Sequence, residues 1–288
     1  VSGAAALQPR LARVFWAAKI PVLEGYGLTE TSPVIAVNYL ATGQVEFGTV
    51  GPVLDSVELR IAEDGEILCK GTNIMQGYYK DEALTREVID PDGWFHTGDI
   101  GTLTAQGNLK ITDRKKDIIV TAGGKNITPQ YIENKLKFSP FVAEAVILGH
   151  EKPFLTAIIC IRFSIVSKWA EQRSIPFTNY TSLSGQQEVI KVLQQELQDV
   201  NASLPDTQKV KRFLLLYKEL DADDGELTRT RKVRRNVINE KYADIIDAIY
   251  AGDESVHIDT MITFQDGTKS QVVTDLQVVD LDTTPSAG

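Results

Sequence analysis

Gly25-Tyr26-Gly27-Leu28-Thr29-Glu30-Thr31 follows the apolar run 20–23, with only Glu24 between them. A short apolar run that ends in a glycine-rich turn is typical of a strand whose end carries a ligand-binding loop in an α/β sheet. Glu30 would supply a hard oxygen ligand of the kind that Mg2+ prefers. An ordinary surface loop, with Glu30 near the start of a helix, would have the same composition, so this turn alone supports only a hypothesis.

Three further motifs follow in order: residues 93–99 (GWFHTGD), 113–117 (DRKKD) and 225–235 (GELTRTRKVRR). Taken singly, the first could be a turn aspartate that bonds its own backbone, and the other two could be solvated basic turns. All four motifs in this order resemble the adenylate-forming (AMP-binding) superfamily, and most closely its long-chain fatty acyl-CoA synthetases. The resemblance runs from about Val1 to about Gly252.

The resemblance implies a fold of α/β and α+β class. The chain would hold the end of the large N-terminal AMP-binding domain with a β-rich module, then a hinge, then a small α+β C-terminal lid domain. The expected boundaries are 1–115 for the C-terminal part of the large domain, 116–252 for the lid domain, and 253–288 for an acidic tail of unknown role. The tail contains strand-like runs at 261–264 and 271–273, so it is not predicted to be disordered.

Local patterns predict individual elements. Residues 57–61 alternate as a half-buried strand does, and turn residues 62–65 and the run 66–69 follow, which predicts a hairpin. Apolar spacing predicts helices, and runs of apolar residues predict strands. The predicted helices are 7–18, 129–137 with Thr128 as N-cap and Pro129 in the first turn, 186–202, and 238–249 ended by Gly252; the predicted strands are 117–121, 142–148, 155–162 and 213–217.

The reaction that the resemblance implies uses ATP, Mg2+ and coenzyme A. A fatty acid attacks the α-phosphate of ATP to give an acyl-adenylate and pyrophosphate, and coenzyme A then displaces AMP. By resemblance, Gly25, Tyr26 and Gly27 form the turn beside the adenine. Thr29 donates its hydroxyl to phosphate, and Glu30 binds the magnesium ion.

The other motifs receive roles from the same resemblance. Asp99 would bind the ribose hydroxyls, and Arg114 would contact ribose and phosphate oxygens, for which a planar guanidinium is suited. His96 is predicted to be structural, because adenylation of an ionised carboxylate needs no general base. Many synthetases have glycine before the catalytic lysine, and Arg231 at that position fits the long-chain subgroup.

Two motifs of the lid domain would serve different steps. Lys232 would reach the α-phosphate and the attacking carboxylate during adenylation. The turn Gly123-Gly124 would lie beside the pantetheine during transfer to coenzyme A. Rotation at the hinge residue, Lys116, would exchange one for the other. A plain hairpin turn would also contain Gly123 and Gly124, because glycine permits positive φ.

Composition limits the class of protein. The 288 residues carry a net charge of -9, which disfavours a nucleic-acid partner and leaves small molecules as the expected partners. Cys69 and Cys160 lie in apolar runs and are predicted to be buried thiols in a reducing compartment. No apolar run reaches transmembrane length, and no signal peptide is evident. A cytoplasmic location is expected, and peripheral membrane contact stays open.

The family's Ser/Thr/Gly-rich phosphate loop is absent from this sequence, so we expect the chain to be the C-terminal part of a larger enzyme and to be inactive alone. The long-chain assignment depends on residues 227–235 and on the insertion from about 164 to 202, because residues upstream would line most of the acyl tunnel. Two alternatives stay open: a non-catalytic binding or regulatory fragment of the same superfamily, and a ligase for another carboxylic acid.

Overall fold

The computed structural model describes residues 1–3, 7, 9–40, 45–229, 232–263 and 269–281. The chain divides into two compact units, Val1–Asp117 and Ile118–Gly288. Both units contain helices and sheets, in agreement with the predicted mixture of α/β and α+β structure. The three predicted domain ranges, 1–115, 116–252 and 253–288, stay predictions.

The first unit is built around an antiparallel sheet with strand order β3-β4-β5-β6. A separate two-stranded ladder pairs β1 with β2 and carries the first glycine-rich motif. The elements of this unit are α1 (Pro9–Ala17), β1 (Gly25–Tyr26), a 3-10 turn (Thr29–Thr31), β2 (Ala36–Val37), β3 (Val57–Ile61), β4 (Glu66–Gly71), α2 (Glu82–Val88), β5 (Phe95–Leu103), β6 (Leu109–Arg114) and a second 3-10 turn (Lys115–Asp117).

The predicted hairpin of the first unit is confirmed. Strands β3 and β4 are antiparallel, and Ile61 pairs with Ile67 across the turn. The apolar spacing that predicts helix α1, at Leu7, Leu11, Val14, Phe15 and Ala18, gives a face that is wrong in part. Leu11 and Val14 are exposed, and the buried residue of the helix is Ala12. Periodicity locates the helix in this case but does not identify the face that packs.

The second unit has a five-stranded sheet of order β12-β13-β11-β10-β9. Strands β10 and β11 are parallel, and the other neighbours in this sheet are antiparallel. The strands are β7 (Ile119–Val120), β8 (Asn126–Ile127), β9 (Val142–Leu148), β10 (Leu155–Ile161), β11 (Val210–Leu215), β12 (Ser255–Thr263) and β13 (Lys269–Asp280); the helices are α3 (Pro129–Leu136), α4 (Phe163–Glu171), α5 (Tyr180–Ser184), α6 (Gln187–Ala202), α7 (Arg235–Lys241) and α8 (Ala243–Ala251), with a 3-10 turn at Asp206–Gln208.

Helices cover both faces of this sheet. One apolar cluster joins the sheet to α3, α4 and α6, and a second joins it to α7 and α8. Strand β10 is buried at all of its positions, as a strand covered on both faces should be. Cys160 on this strand is buried, like Cys69 in the first unit, so the predicted buried thiols are confirmed.

Several predicted boundaries in the second unit need correction. The last helix is two helices, because Tyr242 between α7 and α8 leaves helical geometry while its hydroxyl bonds Glu226 at 2.6 Å. The final helix does end at Gly252, which has a φ of 95°. Strand β7 is shorter than predicted, because 115–117 forms a 3-10 turn instead. Strand β11 begins at Val210, before the predicted start at 213.

The strand-like runs predicted after 253 are part of strands. Strand β12 pairs with β13, and β13 pairs with β11, so these residues extend the sheet of the second unit. Phe264, at the end of the first predicted run, lies outside the described residues. Within the described parts of the chain, no helix combines the length and apolarity needed to cross a bilayer.

Candidate functional site

The first glycine-rich motif forms a tight loop because the backbone closes on itself there. A Cβ at Gly27 would lie 1.6 Å from the carbonyl oxygen of Pro33, so only glycine fits. The Thr31 hydroxyl accepts a hydrogen bond from the Leu28 amide at 2.9 Å and lies 2.8 Å from the Pro33 carbonyl. Gly25 and Tyr26 form the short strand that leads into this loop.

Glu30 and Thr29 lie in the 3-10 turn that follows. The Glu30 carboxylate accepts a hydrogen bond at Oε1 from the Tyr78 hydroxyl at 2.9 Å. Its second oxygen, Oε2, has no hydrogen-bond partner among the described residues. The Thr29 side chain is exposed. Burial and the neighbouring Glu30 carboxylate raise the pKa of Tyr78, so its hydroxyl stays protonated as the donor of this bond.

Asp99 joins three of the motifs. Its buried carboxylate accepts a hydrogen bond from the Tyr26 hydroxyl at Oδ2, over 2.7 Å, and Arg114 Nε lies 3.0 Å from Oδ1. The contact with Arg114 follows from strand register, because Asp99 on β5 pairs with Arg114 on β6. Burial, followed by the charge of Asp99, raises the pKa of Tyr26 far above its ordinary value. Tyr26 is therefore a permanent donor at physiological pH.

Glu66 is a second buried carboxylate, which the sequence did not single out. Its Oε1 accepts a hydrogen bond from the Gly98 amide at 3.0 Å, and its Oε2 lies 2.8 Å from Lys115 Nζ and 3.0 Å from His96 Nδ1. Lys115 also pairs with Asp64 at 2.7 Å. Burial by itself would raise the pKa of Glu66, but the hydrogen bonds from Lys115, His96 and Gly98 outweigh it and lower the pKa.

A cleft of about 420 Å³ connects these groups within the first unit. Of the predicted site residues, Glu30 and Arg114 line it, whereas Asp99 is not in its lining and reaches it only through its contact with Arg114. The complete lining is Leu28, Glu30, Glu66, Tyr78, Glu87, Val88, Phe95, His96, Thr97, Gly98, Arg114 and Lys115. The cleft therefore has carboxylates on Glu30, Glu66 and Glu87 and cations on Arg114 and Lys115.

Gly123 and Gly124 lie in the second unit, in the turn between β7 and β8. Both glycines are exposed, and the Gly124 amide donates to the Thr121 carbonyl at 2.8 Å. Gly124 has a φ of 71°, and a Cβ there would contact nothing within 4 Å. The positive φ therefore explains why glycine is present at this position, and the space beside it is open. Lys116 is exposed in the 3-10 turn that ends the first unit.

Lys232 closes a loop of the second unit. The Thr228 amide donates to the Lys232 carbonyl at 2.8 Å, and the Lys232 amide donates to the Thr228 hydroxyl at 3.0 Å. Leu227 and Val233 form the adjoining antiparallel bridge. The Lys232 side chain is exposed at this junction, and the intervening Thr230 and Arg231 lie outside the described residues.

The base of this loop is held by Glu226, whose side chain is fully buried. Its carboxylate lies 2.7 Å from both Lys218 and Lys241, and it accepts hydrogen bonds from the Tyr242 hydroxyl at 2.6 Å and from the Asp221 amide at 2.9 Å. Four donors thus surround one carboxylate. Because these partners come from two segments of the unit, 218–221 and 241–242, Glu226 anchors the loop to both.

Arg235, the last residue of the fourth motif, does not belong to a solvated basic turn. Its guanidinium lies 2.6 Å and 2.7 Å from the two Glu133 oxygens, and it donates to the Ile147 carbonyl at 3.0 Å. Glu133 is buried. This pair connects the start of α7 to α3 and β9, so it stabilises the element that follows Lys232.

Two family models match the chain. The AMP-binding enzyme model matches residues 1–79, and the AMP-binding enzyme C-terminal domain model matches residues 116–254. The chain is 38% identical over 251 residues to the long-chain-fatty-acid–CoA ligase FadD15 of Mycobacterium tuberculosis, covering 87% of this chain and 41% of that protein. It is 35% identical over 247 residues to the peroxisomal long chain acyl-CoA synthetase 7 of Arabidopsis thaliana, covering 80% and 35%.

Solved structures give the same fold. The adenylation domain of a carboxylate reductase from Mycobacterium chelonae aligns with a TM-score of 0.68 at 23% identity, covering 87% of this chain and 38% of that chain. The O-succinylbenzoate coenzyme A synthetase of Bacillus subtilis, in complex with AMP, aligns with a TM-score of 0.58 at 25% identity, covering 82% and 44%. The predicted fold class is thereby confirmed. The chain spans about two fifths of the length of the curated relatives it matches.

Proposed function

This chain belongs to the AMP-binding enzyme family, and from that premise we propose that the whole protein is a long-chain fatty acid–CoA ligase. The observation that carries the proposal is the meeting of three distant motifs at one buried carboxylate, where Tyr26 and Arg114 both contact Asp99. Such convergence favours a common nucleotide site over three unrelated turns. The partners would be small molecules: fatty acid, ATP and coenzyme A.

In the first step, a carboxylate oxygen of the fatty acid attacks the α-phosphorus of ATP. The bond from that phosphorus to the bridging oxygen breaks, and pyrophosphate leaves with the electron pair. An anion must therefore approach a polyanion, and fixed cations and donors lower this barrier. We assign Lys232 and Arg114 as the cations and the exposed Thr29 hydroxyl as a phosphate donor. Asp99 would bind the ribose hydroxyls through its carboxylate, which Tyr26 and Arg114 hold in place.

The residues present fit a magnesium ion at Glu30. Mg2+ is commonly held by one or two carboxylates together with substrate phosphates. Glu30 lines the cleft, and its Oε1 is held by Tyr78 while Oε2 has no partner among the described residues. When bound, the ion would neutralise phosphate charge. Tyr78 would hold the carboxylate in one orientation.

In the second step, the thiolate of coenzyme A attacks the acyl carbon, and AMP leaves with the oxygen of the acyl-phosphate bond. We propose that Lys116 is the hinge between the steps, as an exposed residue in a short 3-10 turn. Gly123 and Gly124 would let the pantetheine pass close to the backbone, because glycine has no side chain. The space beside them is open: a Cβ at Gly124 would have no neighbour within 4 Å, and a Cβ at Gly123 would lie 4.0 Å from its nearest neighbour. We further propose a cytoplasmic location with peripheral membrane contact, because long acyl chains partition into bilayers.

The proposal is tested by expressing the whole open reading frame that contains this chain. ATP–pyrophosphate exchange and acyl-CoA formation are measured with palmitate, and with benzoate and an amino acid as competing acids. We expect palmitate-dependent exchange. If exchange occurs with benzoate or the amino acid but not with palmitate, the substrate is another class of carboxylic acid. AMP binding without any exchange would support the non-catalytic alternative. The chain of 288 residues alone should show no exchange, because the family's phosphate loop is absent from its sequence.

A further inference from the structure

Glu66 contacts two elements that the proposed reaction uses, although it belongs to neither. Its Oε1 accepts a hydrogen bond from the Gly98 amide, next to Asp99 in strand β5. Its Oε2 pairs with Lys115, the neighbour of Lys116. Glu66 is itself on β4, at the register shift between Glu66 and Leu68 in the pairing of β4 with β5. One carboxylate therefore connects the 97–99 part of strand β5 to the segment 115–117.

The energetics favour a specific role for this contact. A buried carboxylate is costly unless charged partners and hydrogen bonds compensate it, and an apolar pair would often be as stable. Glu66 is only 3% exposed and uses both oxygens. Lys115 is about half exposed, and Asp64 provides it with a second partner at 2.7 Å. The segment is therefore held by contacts that can open to solvent, while the carboxylate stays in place.

We propose that Glu66 is a positioning residue that holds the 97–99 part of strand β5 through Gly98 and restrains the 115–117 segment through Lys115. Release of Lys115 from Glu66 and Asp64 is then the local event that frees the chain at Lys116. The catalytic meaning of this restraint rests on the proposed hinge role of Lys116. The restraint itself is a property of the first unit and can be measured without substrate.

The first test is limited trypsin digestion of the 288-residue chain, with cleavage sites identified by mass spectrometry. Glu66→Gln removes the charge that holds Lys115, and cleavage within 114–116 should rise about tenfold, as expected for loss of one charged hydrogen bond. Glu58→Gln is the matched control, because Glu58 is an exposed carboxylate on the adjacent strand β3. It should leave the cleavage rate unchanged.

General destabilisation is separated from local release by a reference site. Cleavage after the exposed Arg173, in the second unit, should not change in Glu66→Gln. An equal rise at both sites, or no rise within 114–116, would overturn the proposal. If Glu66→Gln does not fold, Asp64→Asn carries the test, since Asp64 is about half exposed and pairs with Lys115. It should raise cleavage within 114–116 about twofold to threefold, and an unchanged rate would overturn the restraint.

The second test asks whether the two elements are connected. In Lys115→Met, the Gly98 amide resonance should shift, because Lys115 and Gly98 contact the same carboxylate. Lys110→Met, an exposed lysine on β6, is the control and should leave that resonance in place. An unmoved Gly98 resonance in Lys115→Met would refute the connection. Neither test requires ligase activity, so failure of the proposed function leaves both results interpretable.

Discussion

The Tyr26 hydroxyl donates a hydrogen bond of 2.7 Å to Asp99, across 73 residues of sequence. Asp99 is buried, and Arg114 lies on its other oxygen. A buried carboxylate with two such donors is held in one orientation. The two contacts thus fix the orientation of the carboxylate that we propose as the ribose contact.

Tyr26→Phe should lower the free energy of unfolding of the first unit by about 1–3 kcal/mol, because a buried carboxylate loses one donor. The measurement is urea denaturation of the chain, followed by tryptophan fluorescence and circular dichroism. Tyr79→Phe is the control, since Tyr79 is 87% exposed and its hydroxyl faces water. Equal effects of the two changes would show that the bond to Asp99 contributes nothing specific.

Gly27→Ala should disrupt the loop that carries Glu30, because the new Cβ would lie 1.6 Å from the Pro33 carbonyl oxygen. The backbone has to move to avoid this overlap, and we expect a loss of several kcal/mol of stability in the first unit. Gly123→Ala is the matched control, since its Cβ would come no closer than 4.0 Å to its nearest neighbour, the Thr121 hydroxyl. Thermal unfolding measures both, and similar melting temperatures would contradict the steric argument.

Lys232→Ala in the whole protein should nearly abolish adenylation while largely preserving thioester formation from supplied acyl-adenylate. The reason is that positive charge is needed where the carboxylate meets the α-phosphate, and that step is complete in the second assay. ATP–pyrophosphate exchange and acyl-CoA formation from the adenylate are measured side by side. Lys191→Ala, an exposed lysine on α6, should leave both rates unchanged. Equal loss in both half-reactions for Lys232→Ala would rule out this division of roles.

Lys116→Pro should leave adenylation nearly intact and slow transfer to coenzyme A, because proline fixes φ near one value and a hinge must change it. Lys116→Ala serves as the control, since it removes the same exposed side chain without fixing the backbone. Single-turnover measurements of the two half-reactions provide the comparison. A folded Lys116→Pro protein with an unchanged transfer rate would remove Lys116 from the hinge.

Acid should destabilise the second unit through Glu226. Burial would raise the pKa of Glu226, but hydrogen bonds from Lys218, Lys241 and Tyr242 outweigh it and lower the pKa below its ordinary 4.5. A carboxyl with a lowered folded-state pKa stabilises the fold above its unfolded-state pKa, and that contribution is lost as pH falls through the folded value. The melting temperature should therefore stay constant from about pH 7 to 5 and should decrease as the pH is lowered below about 4.5.

Glu226→Gln checks the origin of this pH dependence. It should lower the melting temperature at neutral pH, since two lysines lose their shared carboxylate, and it should flatten the acid limb of the curve. Glu240→Gln, an exposed carboxylate on α7, should change neither. An unaltered acid limb in Glu226→Gln would assign the acid transition to other carboxyl groups.

Local patterns in the sequence were sufficient for some of the regular elements. The hairpin 57–69 formed as predicted, because alternating side chains and a turn with Gly65 specify it within a few residues. The long helix α6 also follows its periodicity, with Val189, Leu193 and Leu197 buried. By contrast, the predicted helix over 238–249 is interrupted at Tyr242, because the bond of that side chain to Glu226 is a tertiary contact.

The candidate site divides in the same way. Sequence motifs identified Glu30, Asp99 and Arg114 as candidate site residues, but they gave no site role to Glu66, Tyr78 or Lys115. Glu66 has the sequence context of an ordinary strand residue after a turn, and Tyr78 follows a glycine in a loop. Their importance depends on which side chains they meet: Tyr78 meets Glu30, and Lys115 meets Glu66. No short-range sequence pattern predicts these two side-chain contacts.

The sequence by itself determined the family, the order of the four motifs and most of the helices and strands, because each depends on residues that are near one another in the chain. Only the tertiary structure decided which charges are paired. Asp99 contacts Tyr26 and Arg114, and Glu66 contacts Gly98 and Lys115, because sheet register and loop closure bring distant residues together. The free energy of such pairs depends on burial and on distance, and both are properties of the folded chain.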